Sequence, residues 1–224
     1  MNPRTKPCPA KAEDTIGRFA DFDPATLYEA AGRTGMVDPA IRPAWRGARV
    51  CGLALTVECP PCDNLMLHVA VATAEPGVII VATVDGHLLT GAWGEILTEA
   101  ALARGIAGLV IDGAVRDVDA IEALKFPVFS RGLAIGSCTK TQPGKLRTTI
   151  QLGGATVRPG DLVFGNADGL VIVEQDRVEE VYAAAVTRRA RESDIITKLR
   201  QGRTTMELLG LADPLEGKPP QGSG

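Results

Sequence analysis

The feature that most constrains this chain is a pair of unbroken apolar runs, GVIIVATV at 77–84 and IAGLVID at 106–112, with a helical pattern between them. A β-branched run without polar alternation is buried on both faces, as in a sheet covered by helices. The intervening EILTEAALA at 95–103 reads as a helix stopped by Arg104-Gly105. Around this centre, RVCGLALTV at 49–57 reads as a strand, and 64–73 as a short helix capped by Asp63. Residues 117–124 read as another helix and 127–130 as another strand. The middle of the chain is therefore α/β.

After residue 148 the character changes. Segments 148–157, 161–164 and 169–174 read as strands joined by Gly153-Gly154, Arg158-Pro159-Gly160 and Asn166-Ala167-Asp168-Gly169 turns. From about Asp176 a long amphipathic helix runs toward Arg200, with a shorter one near 204–209. An α/β core, a β-rich section and a C-terminal helical tail imply stacked layers in one domain. The expected organisation is a flexible N-terminus at 1–13, a single catalytic domain at 14–212 and a flexible tail at 213–224. At 224 residues, 45% apolar and 23% charged, the chain can bury a core and is not a disordered one. A net charge of −3 argues against a nucleic-acid binder. No run approaches the roughly 20 apolar residues of a membrane span, and the start lacks an apolar signal core. Five cysteines, an odd number, with no secretory signal lead to the expectation of a cytoplasmic protein with reduced thiols. Cys59-Pro-Pro-Cys62 has the spacing of half a zinc site or a redox pair. No second such pair follows, and His68 and His87 supply no matching motif, so two thiols flanking a Pro-Pro loop is the preferred reading.

The densest chemistry lies in DGHLLTGAWGEILTEAALARGIAGLVIDGAVRD, residues 85–117. Two buried strands deliver two loops to one sheet edge, where α/β folds bind ligands. The first loop, Thr90–Gly94, opens a helix whose leading N–H groups can seat a carboxylate or phosphate. Gly91, Gly94 and, in the second loop, Gly113 are read as points where backbone approaches the ligand. In that second loop Arg116 offers a cationic fork, and Asp117 a hard oxygen for Mg²⁺ or Mn²⁺. The competing reading is an Arg–Asp surface pair in which Asp117 merely caps the next helix. Glu95 precedes Arg116 by 20 intervening residues, and the sheet reading brings it to the loop end beside Asp117.

The stretch Gly94-Glu95, twenty residues, then Arg116-Asp117 resembles the acidic-x20-Arg-Asp signature of the class II 4-hydroxy-4-methyl-2-oxoglutarate / 4-carboxy-4-hydroxy-2-oxoadipate aldolases. That family shares a superfamily with the regulator of ribonuclease activity A. The likeness extends through CPPCDNLMLHVA (59–70), FPVFSRG (126–132), VRPGDLVFGNADGLVIVE (157–174) and RESDIITKLRQGRTTMELLGL (191–211). Members usually carry Asp where this chain has Glu95, and glycine where it has Cys62. Regulator-like members tend to be acidic where Ala120 stands here.

The resemblance implies a layered α/β/β/α sandwich of the swivelling-domain type, assembled as a homotrimer or hexamer with the site at a subunit interface. It implies a Mg²⁺ or Mn²⁺ ion ligated by Asp117, and Arg116 on the pyruvyl oxygens of a small oxo-acid substrate. The backbone of Gly94, Glu95, Ile96 and Leu97 would hold the carboxylate. Glu192, from the tail helix, and Glu95 would orient the base that removes the C4 hydroxyl proton. The implied activity is retro-aldol cleavage of a 4-hydroxy-2-oxo acid to release pyruvate, with oxaloacetate decarboxylation on the side. Lys125, Lys140 and Lys145 fall outside the two loops, which disfavours a Schiff-base route. The alternative is a non-enzymatic regulator that binds a ribonuclease or RNA helicase.

Overall fold

The computed structural model describes residues 17–19 and 21–212. The flexible ends expected at 1–13 and 213–224 lie outside the described residues. Contacts divide the chain into two units, one running to Ala185 and the other from Val186.

In the first unit the apolar runs become parallel strands. These are β2 (Val50–Glu58), β3 (Ile79–Thr83), β5 (Gly108–Val115) and β6 (Val128–Leu133), adjacent in the order β6-β5-β3-β2. The short β1 (Arg42–Pro43) pairs antiparallel with β6 at one edge. On the other side of β2 follow the antiparallel β10 (Leu162–Asn166) and β11 (Gly169–Val173). Two further short strands, β4 (Gly91–Trp93) and β7 (Lys145–Leu146), pair with β5 and β2. A separate hairpin, β8 (Ile150–Leu152) and β9 (Ala155–Val157), turns at Gly153-Gly154 as read from sequence. The helices are α1 (Pro24–Ala30), α2 (Leu65–Thr73), α3 (Glu95–Ala103), α4 (Val118–Ala123), α5 (Val178–Arg200) and α6 (Thr205–Leu209).

Alternation along the strands sorts the core into three clusters. Ile80, Ala82, Leu109, Ile111 and Val128 pack with Leu67, Leu97 and Ile121 of α2–α4. Their sequence neighbours Ile79, Val81, Val110 and Phe129 face the opposite way, against Ile150, Val157, Val163 and Ile172. Leu162, Phe164, Val171 and Val173 then pack with Phe19, Leu27 and Val181. Strand β2 touches all three: Leu55 and Val57 join the first cluster, Val50 and Ala54 the second, and Cys51 and Leu53 abut the third. One sheet therefore curls toward a near-barrel around the second cluster. Helices cover its outer face at both ends, which produces the α/β/β/α layering that the family resemblance implies.

The second unit holds the rest of α5 and α6. Thr204 and Glu207 form a reciprocal capping box at the start of α6, and Gly210 closes it in the left-handed region at φ 63°.

The strand after α3 differs from its sequence reading. β5 continues to Val115, so Gly113 is a buried strand residue rather than part of a loop. A Cβ there would collide with Val84, so glycine serves packing at that point.

Candidate active site

Strands β3, β5 and β6 end at one edge, where segments 84–90, 116–117 and 134–142 meet. The residues 90–94, read from sequence as a loop, contain β4. Its parallel pairing with β5 sets Trp93 beside Val115, and the Arg116 N–H donates to Trp93 O at 2.8 Å. This pairing lays Gly94 against Arg116 and Asp117. Trp93 holds the junction from below: it is buried, lies parallel to Phe126 at 6.1 Å, and donates from Nε1 to Thr98 Oγ1 at 2.8 Å. Thr98 Oγ1 in turn donates to Gly94 O at 3.0 Å. The first turn of α3 is thus locked to the strand before it.

Asp117 occupies the N-cap position of α4 in the left-handed region (φ 57°, ψ 37°) and makes no side-chain cap bond there. Its Oδ2 instead accepts the Glu95 N–H at 3.1 Å. Arg116 Nε lies 3.6 Å from the same oxygen, beyond hydrogen-bond range. The side-chain cap of that competing reading is absent, because the carboxylate is turned away from its own helix toward α3, whereas the Arg116–Asp117 surface ion pair it expected is present. Its engagement with the Glu95 amide also narrows the anion seat. With the Glu95 amide taken, those of Ile96 and Leu97 are the remaining first-turn donors without an intrahelical acceptor. The Glu95 side chain is exposed at the same edge, as is Ile96, while Gly94 and Leu97 are buried.

A cleft of about 950 Å³ opens beside Arg116 and Asp117, walled by Leu88, Leu89, Leu133 and Ile135. Several of these apolar side chains are strongly exposed, Ile135 at 95% and Leu89 at 79%. The two wall segments interlock through backbone, with Gly91 N–H donating to Gly136 O at 2.9 Å. A Cβ on Gly91 or Gly136 would strike the facing carbonyl of Ala134 or Leu89. Glu192 belongs to the second unit, where it pairs with Arg188 at 2.8 Å within its own helix.

A divalent cation at this edge would meet carboxylate oxygen rather than thiol or imidazole donors. Among the described residues no three His, Cys, Asp or Glu side chains converge on one point. Mg²⁺ binds through one or two carboxylates and keeps several waters. Asp117 would supply such a carboxylate, which has room because Gly94 lacks a side chain: a Cβ there would meet Asp117 Oδ2.

Two residues near the site were legible only as bystanders. Asn64, not Asp63, is the N-cap residue of α2. Its buried Nδ2 donates to Ala92 O in β4 at 2.8 Å. Asp63 is fully buried one residue earlier and accepts from Leu65 N, Thr139 Oγ1, Thr141 N and Gln142 N. Burial pushes its carboxyl up, but these four donors outweigh it and hold the group well below the usual carboxylate range. The Cys59-Pro-Pro-Cys62 segment separates its thiols, with Cys59 in the helix-side core and Cys62 exposed. Cys62 has φ 63°, a conformation that favours glycine.

The family model RraA-like, described as Aldolase/RraA, matches residues 22–172. A protein of Halalkalibacterium halodurans named "Putative 4-hydroxy-4-methyl-2-oxoglutarate aldolase" is 34% identical over 177 residues, 79% of this chain and 84% of that one. Among solved structures, an uncharacterized protein from Pseudomonas syringae pv. tomato is 31% identical with a TM-score of 0.78, covering 88% of this chain and 98% of that chain. The RNA-processing inhibitor RraA from Thermus thermophilis shares the fold at 21% identity and a TM-score of 0.64, over 68% of this chain and 93% of its own.

Proposed function

Because the chain belongs to the RraA-like family of aldolases and RraA proteins, we propose that it is a divalent-metal-dependent aldolase releasing pyruvate from a 4-hydroxy-2-oxo acid. The substrate class we assign is 4-hydroxy-4-methyl-2-oxoglutarate or 4-carboxy-4-hydroxy-2-oxoadipate. The observation that carries this reading is the turn of Asp117 away from its own helix onto the Glu95 amide, beside Arg116. A pure binding surface has no need of that arrangement.

Retro-aldol cleavage removes the proton of the C4 hydroxyl, breaks the C3–C4 bond and leaves an enolate that is protonated at C3 to give pyruvate. The Ile96 and Leu97 amides at the helix start hold the C1 carboxylate. Arg116 faces the C2 oxygen, where negative charge develops, and stabilises it more in the transition state than in the substrate. Asp117 would hold a Mg²⁺ or Mn²⁺ ion with its carboxylate, and Glu95 would stand beside it to orient the proton acceptor. When bound, such an ion supplies Lewis-acid stabilisation of the enolate. The same enolate forms when oxaloacetate loses CO₂, so decarboxylation belongs to the same site.

The exposed apolar wall of the cleft supports a further part of the reading. Leu88, Leu89, Leu133 and Ile135 are covered in a homotrimer or hexamer, and Glu192 of a neighbouring copy completes the site. No described helix is long and apolar enough to cross a membrane.

Pyruvate release coupled to lactate dehydrogenase tests the proposal, with each oxo acid and with oxaloacetate, in Mg²⁺ or Mn²⁺ and after chelation. Turnover should need the metal. Arg116→Ala and Asp117→Ala should each lower it by roughly 10³-fold while circular dichroism stays unchanged. Absence of pyruvate from every substrate with either metal would overturn the enzyme reading. It would favour a regulator that binds a ribonuclease or RNA helicase.

A further inference from the structure

Outside this chemistry, the Cys62 thiol and the His87 imidazole meet at the surface, Sγ to Nε2 at 3.2 Å. A second thiol, Cys138, lies on the backbone segment bonded to this one. Asp63 and Thr139 form a parallel bridge, and the Thr139 N–H donates to Cys62 O at 2.8 Å. The residues preceding the bridge on each side are Cys62 and Cys138. Asp63 and Thr139 direct their side chains to each other at 2.7 Å. Cys62 and Cys138 both send their sulfurs to segment 87–90, Cys62 to His87 and Cys138 to Thr90 Oγ1 at 3.2 Å. A disulfide spans roughly 4.4–6.8 Å between Cα atoms, a separation that the direct hydrogen bond between the Thr139 amide and the Cys62 carbonyl allows.

We propose that Cys62 is a peroxide-reactive thiol assisted by His87, and that Cys138 resolves it as a Cys62–Cys138 disulfide. In the first step His87 Nε2 takes the Sγ proton as the Cys62 sulfur attacks one peroxide oxygen. The O–O bond breaks, the departing hydroxide is protonated to water, and Cys62 becomes a sulfenic acid, oxidised by two electrons as the peroxide is reduced. In the second step the Cys138 sulfur attacks the Cys62 sulfur. The S–O bond breaks and hydroxide leaves as water with the proton of the Cys138 thiol. The other described cysteines do not compete, since burial pushes the Cys51 and Cys59 thiols up to about 12. Forming the disulfide removes the sulfur contacts to His87 and Thr90. It thereby removes two side-chain contacts of the segment that carries Leu88 and Leu89 into the cleft.

The inference is independent of the aldolase reading and is tested by chemistry alone. The reduced full-length protein is exposed to hydrogen peroxide, quenched with N-ethylmaleimide and mapped peptide by peptide. A dithiothreitol-reversible link between Cys62 and Cys138 is expected. In Cys138→Ser, dimedone should trap a sulfenic acid at Cys62. His87→Gln should slow oxidation of Cys62 on the order of a hundredfold. Iodoacetamide alkylation of the unmutated protein gives a second measure, with Cys62 reacting faster than free cysteine. Reaction of Cys62 no faster than free cysteine overturns the proposal. So does a link from Cys62 to Cys8, to Cys59 or to another copy in place of Cys138.

Discussion

At Gly94 the backbone is extended (φ −159°, ψ −164°), a conformation open to every residue, so the missing side chain answers a spatial need. A Cβ would occupy the position of Asp117 Oδ2 and crowd the Arg116 side chain. Gly94→Ala is therefore expected to displace the carboxylate while leaving the fold intact. Pyruvate release should fall by about 10²-fold, the effect of a misplacement near 1 Å, with little change in thermal midpoint. The Glu95 amide can be tested apart from its side chain. Proline suits the first position of a helix and lacks only the N–H, and the extended Gly94 can precede it. Glu95→Pro should thus keep α3 but lose the donor to Asp117, whereas Glu95→Ala keeps that donor. We expect Glu95→Pro to be slower than Glu95→Ala by roughly tenfold, the effect of losing one hydrogen bond to a charged group. Equal rates would show that the amide does not position the carboxylate.

Among the elements, β4 decides whether the site exists, and its three residues are the part that sequence reading passed over. The runs 77–84 and 106–112 were legible because unbroken apolar residues can be satisfied only between two covered faces, though the extension of β5 through Gly113 to Val115 was not. The helix at 95–103 was legible for its 3.6-residue period and its Arg104-Gly105 stop. Gly91-Ala92-Trp93 has neither a period nor a length, and it becomes a strand only because β5 offers it free backbone groups. Arg116, Asp117 and Glu95 could be singled out by chemistry and spacing. The way Asp117 turns could not, since a left-handed backbone at a non-glycine residue leaves no mark in the sequence. Asp63 was read only as the cap of one helix, and its Oδ1 does accept the first amide of that helix, but its other oxygen also ties down 139–142. Its depressed carboxyl fixes a pH dependence. The unfolded chain binds this proton near pH 3.9, the native chain only at lower pH, so stability rises with pH across that window. The contribution is complete above about pH 4 and is lost as pH falls toward the native value. Asp63→Asn should be less stable at neutral pH in urea unfolding. Below about pH 4 its stability should fall less steeply with acid than that of the unmutated protein.

At the scale of the whole molecule, the question is whether one copy of the chain contains everything the reaction needs. The first unit carries Glu95, Arg116 and Asp117 together at one sheet edge, with an apolar wall that a soluble monomer would leave exposed. Glu192 lies on the second unit, in register with Arg188 on a helix face rich in charge. If a neighbouring copy supplies it, two inactive variants must rescue each other. An Arg116→Ala subunit still offers an intact Glu192, and a Glu192→Gln subunit still offers an intact Arg116. Unfolded together in equal amounts and refolded as mixed trimers, the two should regain about a quarter of the unmutated turnover, because one neighbour pair in four joins an intact Arg116 to an intact Glu192. Each variant refolded alone should stay at its own low level. If Glu192 serves the site of its own chain, mixing regains nothing, since every subunit then lacks one of the two groups. Sedimentation of Leu89→Asp and Ile135→Asp supplies the matching physical measurement. Charges placed on the apolar wall should dissociate the assembly and abolish the rescue, while the isolated chains remain folded.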